Sequence, residues 1–385
     1  MSLFKGSFSA SFFKIVGAVP NEGFHDRLIN QVKAFAFREP ADSTWAGVKR
    51  GWSDSQNPLI TDKISSGDWI FEPYVVLSMR IDTKRLPAKI VKAKLEIQTS
   101  NWSKDHDGAM CPRSVRVDLQ NILKEEMLKK QPAKVSQVIG LWNIEKGTLV
   151  LDSTSKANQD SFRSLFKETF AQWAITIESQ NPLEWATKEA QKMLAGVVSQ
   201  PLTDEEVRDQ LSFPYEKLPP FGLTSELLVW IAYMARNENW PSRHGGAVEE
   251  LEVWVDDKIV FSDESKNRVA VSGLDTAQSK SSLAALAKGQ MPKEMRLGVR
   301  RGEYEWSVVL KGSTLDWSGA KLPQGEEGDI EELVHERGAL IAALSDAISV
   351  LVALFCGVRS DIKWANFRKN MRAWAQDEID DPSDS

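Results

Sequence analysis

Cysteine is nearly absent from this 385-residue chain, which holds only Cys111 and Cys356. Two residues so far apart give neither a disulfide framework nor the paired spacing of a zinc ribbon. A reduced, cytosolic compartment fits such usage. Histidine is as scarce: four isolated residues (His25, His106, His244 and His335) leave little for histidine-based metal or triad chemistry. Tyrosine is rare too, four residues against fourteen Trp, and so many tryptophans read as large core anchors. Long apolar runs are also missing. The longest, 338–358, is interrupted by Ser345, Asp346 and Ser349, whereas a membrane-spanning helix needs about 20 residues with few or no charges. A buried amphipathic helix is expected there. The opening MSLFKGSFSASFFKIVG has no continuous apolar core and no small-residue cleavage site, so it does not read as a secretory signal.

Catalytic signatures are missing as well. There is no Walker-type phosphate cradle, no G-x-G-x-x-G opening a helix, no H-E-x-x-H and no G-x-S-x-G. The most nuclease-like fragment is Glu249-Glu250 followed by Asp257-Lys258, because metal nucleases need clustered carboxylates near a lysine. Asp256-Asp257, however, is expected at a turn between two strands, where Asp is favoured for local reasons. His244-Gly245-Gly246 reads as a flexible loop. No enzymatic activity, cofactor or metal is expected.

What is present is ordinary globular material, 42% hydrophobic and 26% charged, which excludes collagen-like, low-complexity and wholly disordered classes. The length suffices for two or three structural units. The net charge of −6 argues superficially against a nucleic-acid partner, but the average conceals patterning. Residues 84–134 hold twelve Lys/Arg against six Asp/Glu. Residues 287–301 and 358–372 each hold five basic residues against one acidic. Solvated helix faces produce such runs, and so does a basic surface gathered on one side. The final QDEIDDPSDS is acidic and reads as a frayed tail.

Periodicity gives an α+β fold class: antiparallel sheets with packed helices and a long C-terminal helix. Strands are expected in 4–16 and 67–82, rich in aromatic and β-branched residues, with a helix over 24–37 between them. Gly51-Trp52 is expected to open a polar loop. A helix begins near Leu86-Pro87 and runs through 98, with 101–112 as loop. A second helix spans 114–130. Its core stripe is Val115, Leu119, Ile122 and Leu123; Arg113, Arg116, Gln120 and Lys124 fall on another face. A hairpin over 138–151 turns at Glu145-Lys146-Gly147, followed by a helix over 160–170 and a strand over 173–177.

These elements make an N-terminal α+β region, 1–200, whose central helices (84–134) are basic. A Pro-rich connection, 201–220, follows. An antiparallel meander with a short helix occupies 221–325, a helical region 326–375, and the acidic tail 376–385. In the helical region Ile341, Leu344, Ile348, Leu351 and Phe355 form a coiled-coil-like seam, suited to a dimer or to packing against its own domain.

Several segments resemble the recombination-associated protein RdgC family. They include FKGSFSASFFKI (4–15), Gly51-Trp52-Ser53, LPAKIVKAKLE (86–96), LKEEMLKK (123–130), LWNIEKGTLVLDSTSK (141–156) and FRSLFKETF (162–170). VWVDDKIVF (253–261), RGEYEWSVVL (301–310) and HERGAL (335–340) fit a longer, phage-type branch of it. The resemblance implies a ring-like homodimer around double-stranded DNA, without sequence preference and without catalysis. It implies restraint of recombination by occupying DNA that RecA would use. A cytoplasmic, nucleoid-associated location follows, with no membrane partner. The positions matching the family's hole-lining cations are Lys89, Lys92, Arg116 and Lys124. Arg113, Arg300 and Arg301 join them as expected DNA contacts from their own basic runs. The aromatic that short members carry near the end of the second helix is missing from Ala133-Lys134-Val135-Ser136-Gln137-Val138. Two other classes compete: a protein-binding module contacting a recombination or nuclease complex, and a metal-dependent nuclease.

Overall fold

The computed structural model describes residues 3–4, 6–19, 23–62, 64–180, 223–236, 240, 251–263, 265–323 and 328–376. The Pro-rich connection 201–220, the His244 loop, Glu249-Glu250 and the tail beyond Gln376 lie outside the described residues. The chain forms two compact units: one of residues 15–147 and 155–177, the other of 1–14, 148–154 and 178–385.

The first unit is built on β4 (Tyr74–Lys84), which pairs antiparallel with β2 (Gly47–Trp52), β3 (Ile70–Phe71) and β5 (Lys134–Asn143). β4 is almost wholly buried, as its run YVVLSMRI requires. Of its three buried charges, two neutralise each other: Arg80 donates from Nε and Nη2 to the two carboxylate oxygens of Asp82, both at 2.7 Å. The third, the Lys84 ammonium, donates to the Ser43 carbonyl at 2.7 Å. Helices α1 (Phe24–Ala34), α2 (Ala88–Asp105), α3 (Arg113–Lys130) and α4 (Lys156–Thr169) complete this unit. Trp52, Trp69, Trp142, Phe162, Phe166 and Phe170 fill its core in largely edge-to-face contacts, the arrangement that ring quadrupoles favour.

Three expectations about this unit are corrected. Gly51-Trp52 does not open a loop: it ends β2, where Phe37 N–H donates to the Trp52 carbonyl and Trp52 N–H to the Phe35 carbonyl. Glycine is needed there because a Cβ at position 51 would collide with the backbone of Phe37. The first basic helix does not stop near residue 100 but runs to Asp105, since no Gly or Pro lies between Pro87 and Gly108. Asp107 and Gly108, at φ 51° and 81°, then break it. The strand expected over 173–177 begins only at Thr176, after a short 3₁₀ turn, so it is β7 (Thr176–Ser179).

The second unit carries an antiparallel sheet in the order β6-β1-β12-β11-β10-β8-β9. These strands are β1 (Phe8–Val16), β6 (Thr148–Leu151), β8 (Leu251–Ser262), β9 (Arg268–Ser272), β10 (Met291–Arg301), β11 (Tyr304–Lys311) and β12 (Trp317–Lys321). Gly302, at φ 57°, makes the expected turn between β10 and β11. Asp256-Asp257 does not make a turn. Both lie inside β8, where the register against β10 jumps from Val255↔Leu297 to Ile259↔Met295. The bulge absorbs the extra residues, and cross-strand partners hold their charges: Asp257 pairs with Arg296 at 3.4 Å and Lys258 with Glu294 at 3.6 Å.

Among the described residues four α-helices belong to this unit: α5 (Leu223–Met234), α6 (Lys280–Ala287), α7 (Ile330–Ser360) and α8 (Trp364–Gln376). A capping box starts α7, in which Asp329 accepts from Glu332 N–H at 3.0 Å and Glu332 accepts from Asp329 N–H at 3.3 Å. By length and composition α7 is apolar enough to cross a membrane, yet Ile341, Leu344, Ile348, Leu351 and Phe355 are all buried within the unit. The seam is therefore intrachain core, with Phe355 against Trp230 and Trp364.

The two thiols sit in opposite environments. Cys356 is fully buried, and desolvation pushes its pKa up to about 11; Cys111 is partly exposed. Since the thiolate is the reacting species, a native chain titrated with an aromatic disulfide reagent should show one fast thiol, lost in Cys111→Ser. The second should react only on unfolding. Fast reaction of both would place Cys356 outside the core.

Candidate nucleic-acid interface

The basic segment folds into a helical hairpin. Pro87 and Pro112 occupy the N-cap positions of α2 and α3, and the loop 106–112 joins the helices. The two pack through Val91, Leu95 and Leu123, with Leu86, Leu119 and Met127 around them. That contact is narrow. Ile122, expected in the core stripe, is 52% exposed, because α3 buries only the 119-123-127 row against a single neighbouring helix.

Beside this seam runs an open groove of about 860 Å³. Its floor is apolar, with Leu86, Val91, Leu95, Val117 and Leu128; Lys92, Arg113, Arg116 and Lys124 line it with positive charge. All four cations are exposed. Among the described residues none of the four has a carboxylate within ion-pair distance. Lys129, one turn beyond Glu125, is different: its ammonium donates to Glu125 at 2.8 Å, which raises its pKa. The hairpin thus holds a compensated cation at its end and an uncompensated group along one groove. An apolar floor under like charges limits screening from below and focuses the positive potential outward. Such a surface suits the phosphates of a polyanion.

Of the seven positions expected to contact DNA, the structure gathers Lys92, Arg113, Arg116 and Lys124. Lys89 is exposed on α2 but does not line the groove. Arg300 and Arg301 lie at the end of β10, in the other unit. Arg300 is held by Glu252 at 2.8 Å and Glu305 at 3.2 Å, with its guanidinium 5.4 Å from the centre of the Trp254 ring.

Sequence reasoning missed the far end of the hairpin. Trp102 and His106 stack at 3.9 Å between ring centres and 15° between planes. The His106 Nδ1–H donates to the Trp102 carbonyl at 2.8 Å, which fixes the ring. Met110, on the adjoining loop, is 90% exposed. The W-x-x-x-H spacing was the available signal, since residues four apart in a helix are neighbours. Assigning 101–112 to a loop concealed it. Among the described residues no group of three or more His, Cys, Asp or Glu is arranged to hold a metal ion.

A family model described as "RdgC: Putative exonuclease, RdgC" matches residues 12–205, about half of the chain and the whole of this hairpin. No curated protein matches the chain. The chain belongs to the RdgC family and is a recombination-associated, nucleic-acid-related protein.

Proposed function

We propose that this member of the RdgC family binds double-stranded DNA through the phosphates, using the α2–α3 groove, with little base preference and without cleaving it. It acts as a ring-like homodimer around DNA in the nucleoid and restrains recombination by occupying DNA that RecA would otherwise use. The observation that carries this reading is the set of four exposed cations, Lys92, Arg113, Arg116 and Lys124, on one groove with no counter-charge among the described residues. A chain of net charge −6 can bind a polyanion when its cations are concentrated this way. Two copies facing one duplex double the contact and turn acidic surface outward. With neither a recognition helix of known type nor a zinc finger, the expected contacts are to phosphate and sugar, which carry no sequence information directly.

The family description favours a second reading, removal of nucleotides from DNA ends. A mobility shift on end-labelled random-sequence duplex, with and without magnesium, separates the two. Retarded, full-length DNA in both conditions is expected. Progressive shortening in magnesium would make the protein an exonuclease, and unretarded DNA would leave the protein-binding reading.

A further inference from the structure

We infer that the free edge of β9 is a self-pairing surface, to which a second copy of this chain adds its own β9 antiparallel about Ala270. Among the described residues β9 ends the sheet, and β8 is its one strand partner. In an antiparallel pair, alternate residues turn their N–H and C=O groups toward the neighbour and the rest turn them away. The register Ile259↔Val271, Val260↔Ala270 and Phe261↔Val269 is unbroken. At its two ends Gly273 N–H donates to the Asp257 carbonyl at 3.1 Å, and Asp263 N–H donates to the Asn267 carbonyl at 3.2 Å. The odd-numbered residues therefore bond to β8. Arg268, Ala270 and Ser272 present their backbone groups to the outer edge, and all three are exposed.

That set is self-complementary. Pairing two copies antiparallel with Ala270 opposite Ala270 sets Arg268 opposite Ser272 at both ends. Each of these opposed pairs then exchanges both of its backbone bonds, so every outward group of the strand is satisfied. The same register brings Val269, 37% exposed, beside Val271 of the second copy, which is 9% exposed on the same face of the sheet. No like charges are opposed: the two Arg268 side chains end up four residues apart along the strands, about 13 Å, beyond a Debye length in physiological salt. The strand has no Pro, Gly or Lys within it, and its one charge, Arg268, stands at its first residue, away from the axis. Leu274, just past its end, is 96% exposed. A twofold axis through Ala270 gives a closed, isologous contact and so a dimer instead of a fibre.

This inference shares with the proposed function only the premise of two copies, and it is tested without DNA. Ala270→Pro removes the central outward N–H and leaves the bonds to β8 intact, since residue 270 does not make them. Sedimentation velocity of the full chain should show a wild-type dimer at micromolar concentration. In the Pro variant the dissociation constant should rise about tenfold or more, the effect of losing the two central bonds. Ala270→Arg and Ala270→Asp place like charges face to face across the axis, and each should weaken self-association several-fold. An equimolar mixture of the two should associate more tightly than either alone, because only the mixed pair opposes unlike charges. If Ala270→Pro fails to fold, by circular dichroism, the mixing experiment decides. A wild-type monomer, a folded Ala270→Pro chain that dimerises like wild type, or a mixture no tighter than its components would each overturn the proposal.

Discussion

Replacing Arg116 and Lys124 together by alanine is expected to weaken binding of every duplex sequence alike, by roughly tenfold to thirtyfold at physiological salt for each engaged subunit. The two side chains lie two turns apart on α3 and line the same groove. Each direct phosphate contact adds about −0.9 to the slope of log affinity against log salt, so the double variant should flatten that slope by roughly two per subunit. Folding should be nearly unaffected, since removal of exposed charge usually costs within about 0.5 kcal/mol. Lys129→Ala is the internal control: Glu125 already holds that ammonium, so its loss should change binding little. Filter binding across a salt series, with circular dichroism on each variant, makes the comparison. A double variant with wild-type affinity and slope would move the surface elsewhere. Arg301 and the 359–372 segment would then be next, ahead of Arg300, which two glutamates already hold.

The second large effect is on the fold. Leu344→Asp should unfold the unit built around α7. Leu344 is 0% exposed in the middle of the seam, and a carboxylate there has to be buried unpaired or protonated. Even Leu344→Ala should cost about 2–5 kcal/mol, as large-to-small changes in packed cores do. Urea titration followed by tryptophan fluorescence reads both, because Trp230 and Trp364 adjoin Phe355 on the same helix. A Leu344→Asp chain that keeps its native spectrum but sediments as a monomer would show instead that the seam is a contact between chains.

The parts that were legible in the sequence are those set by local periodicity. The 3-4 spacing from Ile341 to Phe355 gave a helix that is indeed α7, and the alternating YEWSVVL gave β11. The cations of α3 could be placed on one face from spacing alone, and Lys92 could be assigned to the preceding helix. What spacing could not supply is how α2 and α3 pack. Lys92 joins Arg113, Arg116 and Lys124 on one groove, while Lys89, three residues away, does not line it. Ile122 belongs to the apolar set by period and to the surface by geometry, because a two-helix contact covers a narrower stripe than a domain core does. Asp256-Asp257 looked like a turn for sound chemical reasons. A bulge in a long strand also accommodates such residues, and local sequence does not separate the two. Gly51 is the converse case, a glycine that reads as a loop and is required inside a strand by the close approach of Phe37.

The claim on which the rest depends is that the α2–α3 groove binds duplex DNA by its phosphates. It is tested most directly by measuring the affinity of the wild-type chain for one random-sequence duplex between 50 and 200 mM salt. If all four groove cations make contact, the log–log slope should be about −3.6 per engaged subunit, a loss of roughly a hundredfold across that range. Unrelated duplexes of the same length should compete equally well. A slope near zero, or nanomolar binding to one sequence that random DNA fails to displace, would contradict it.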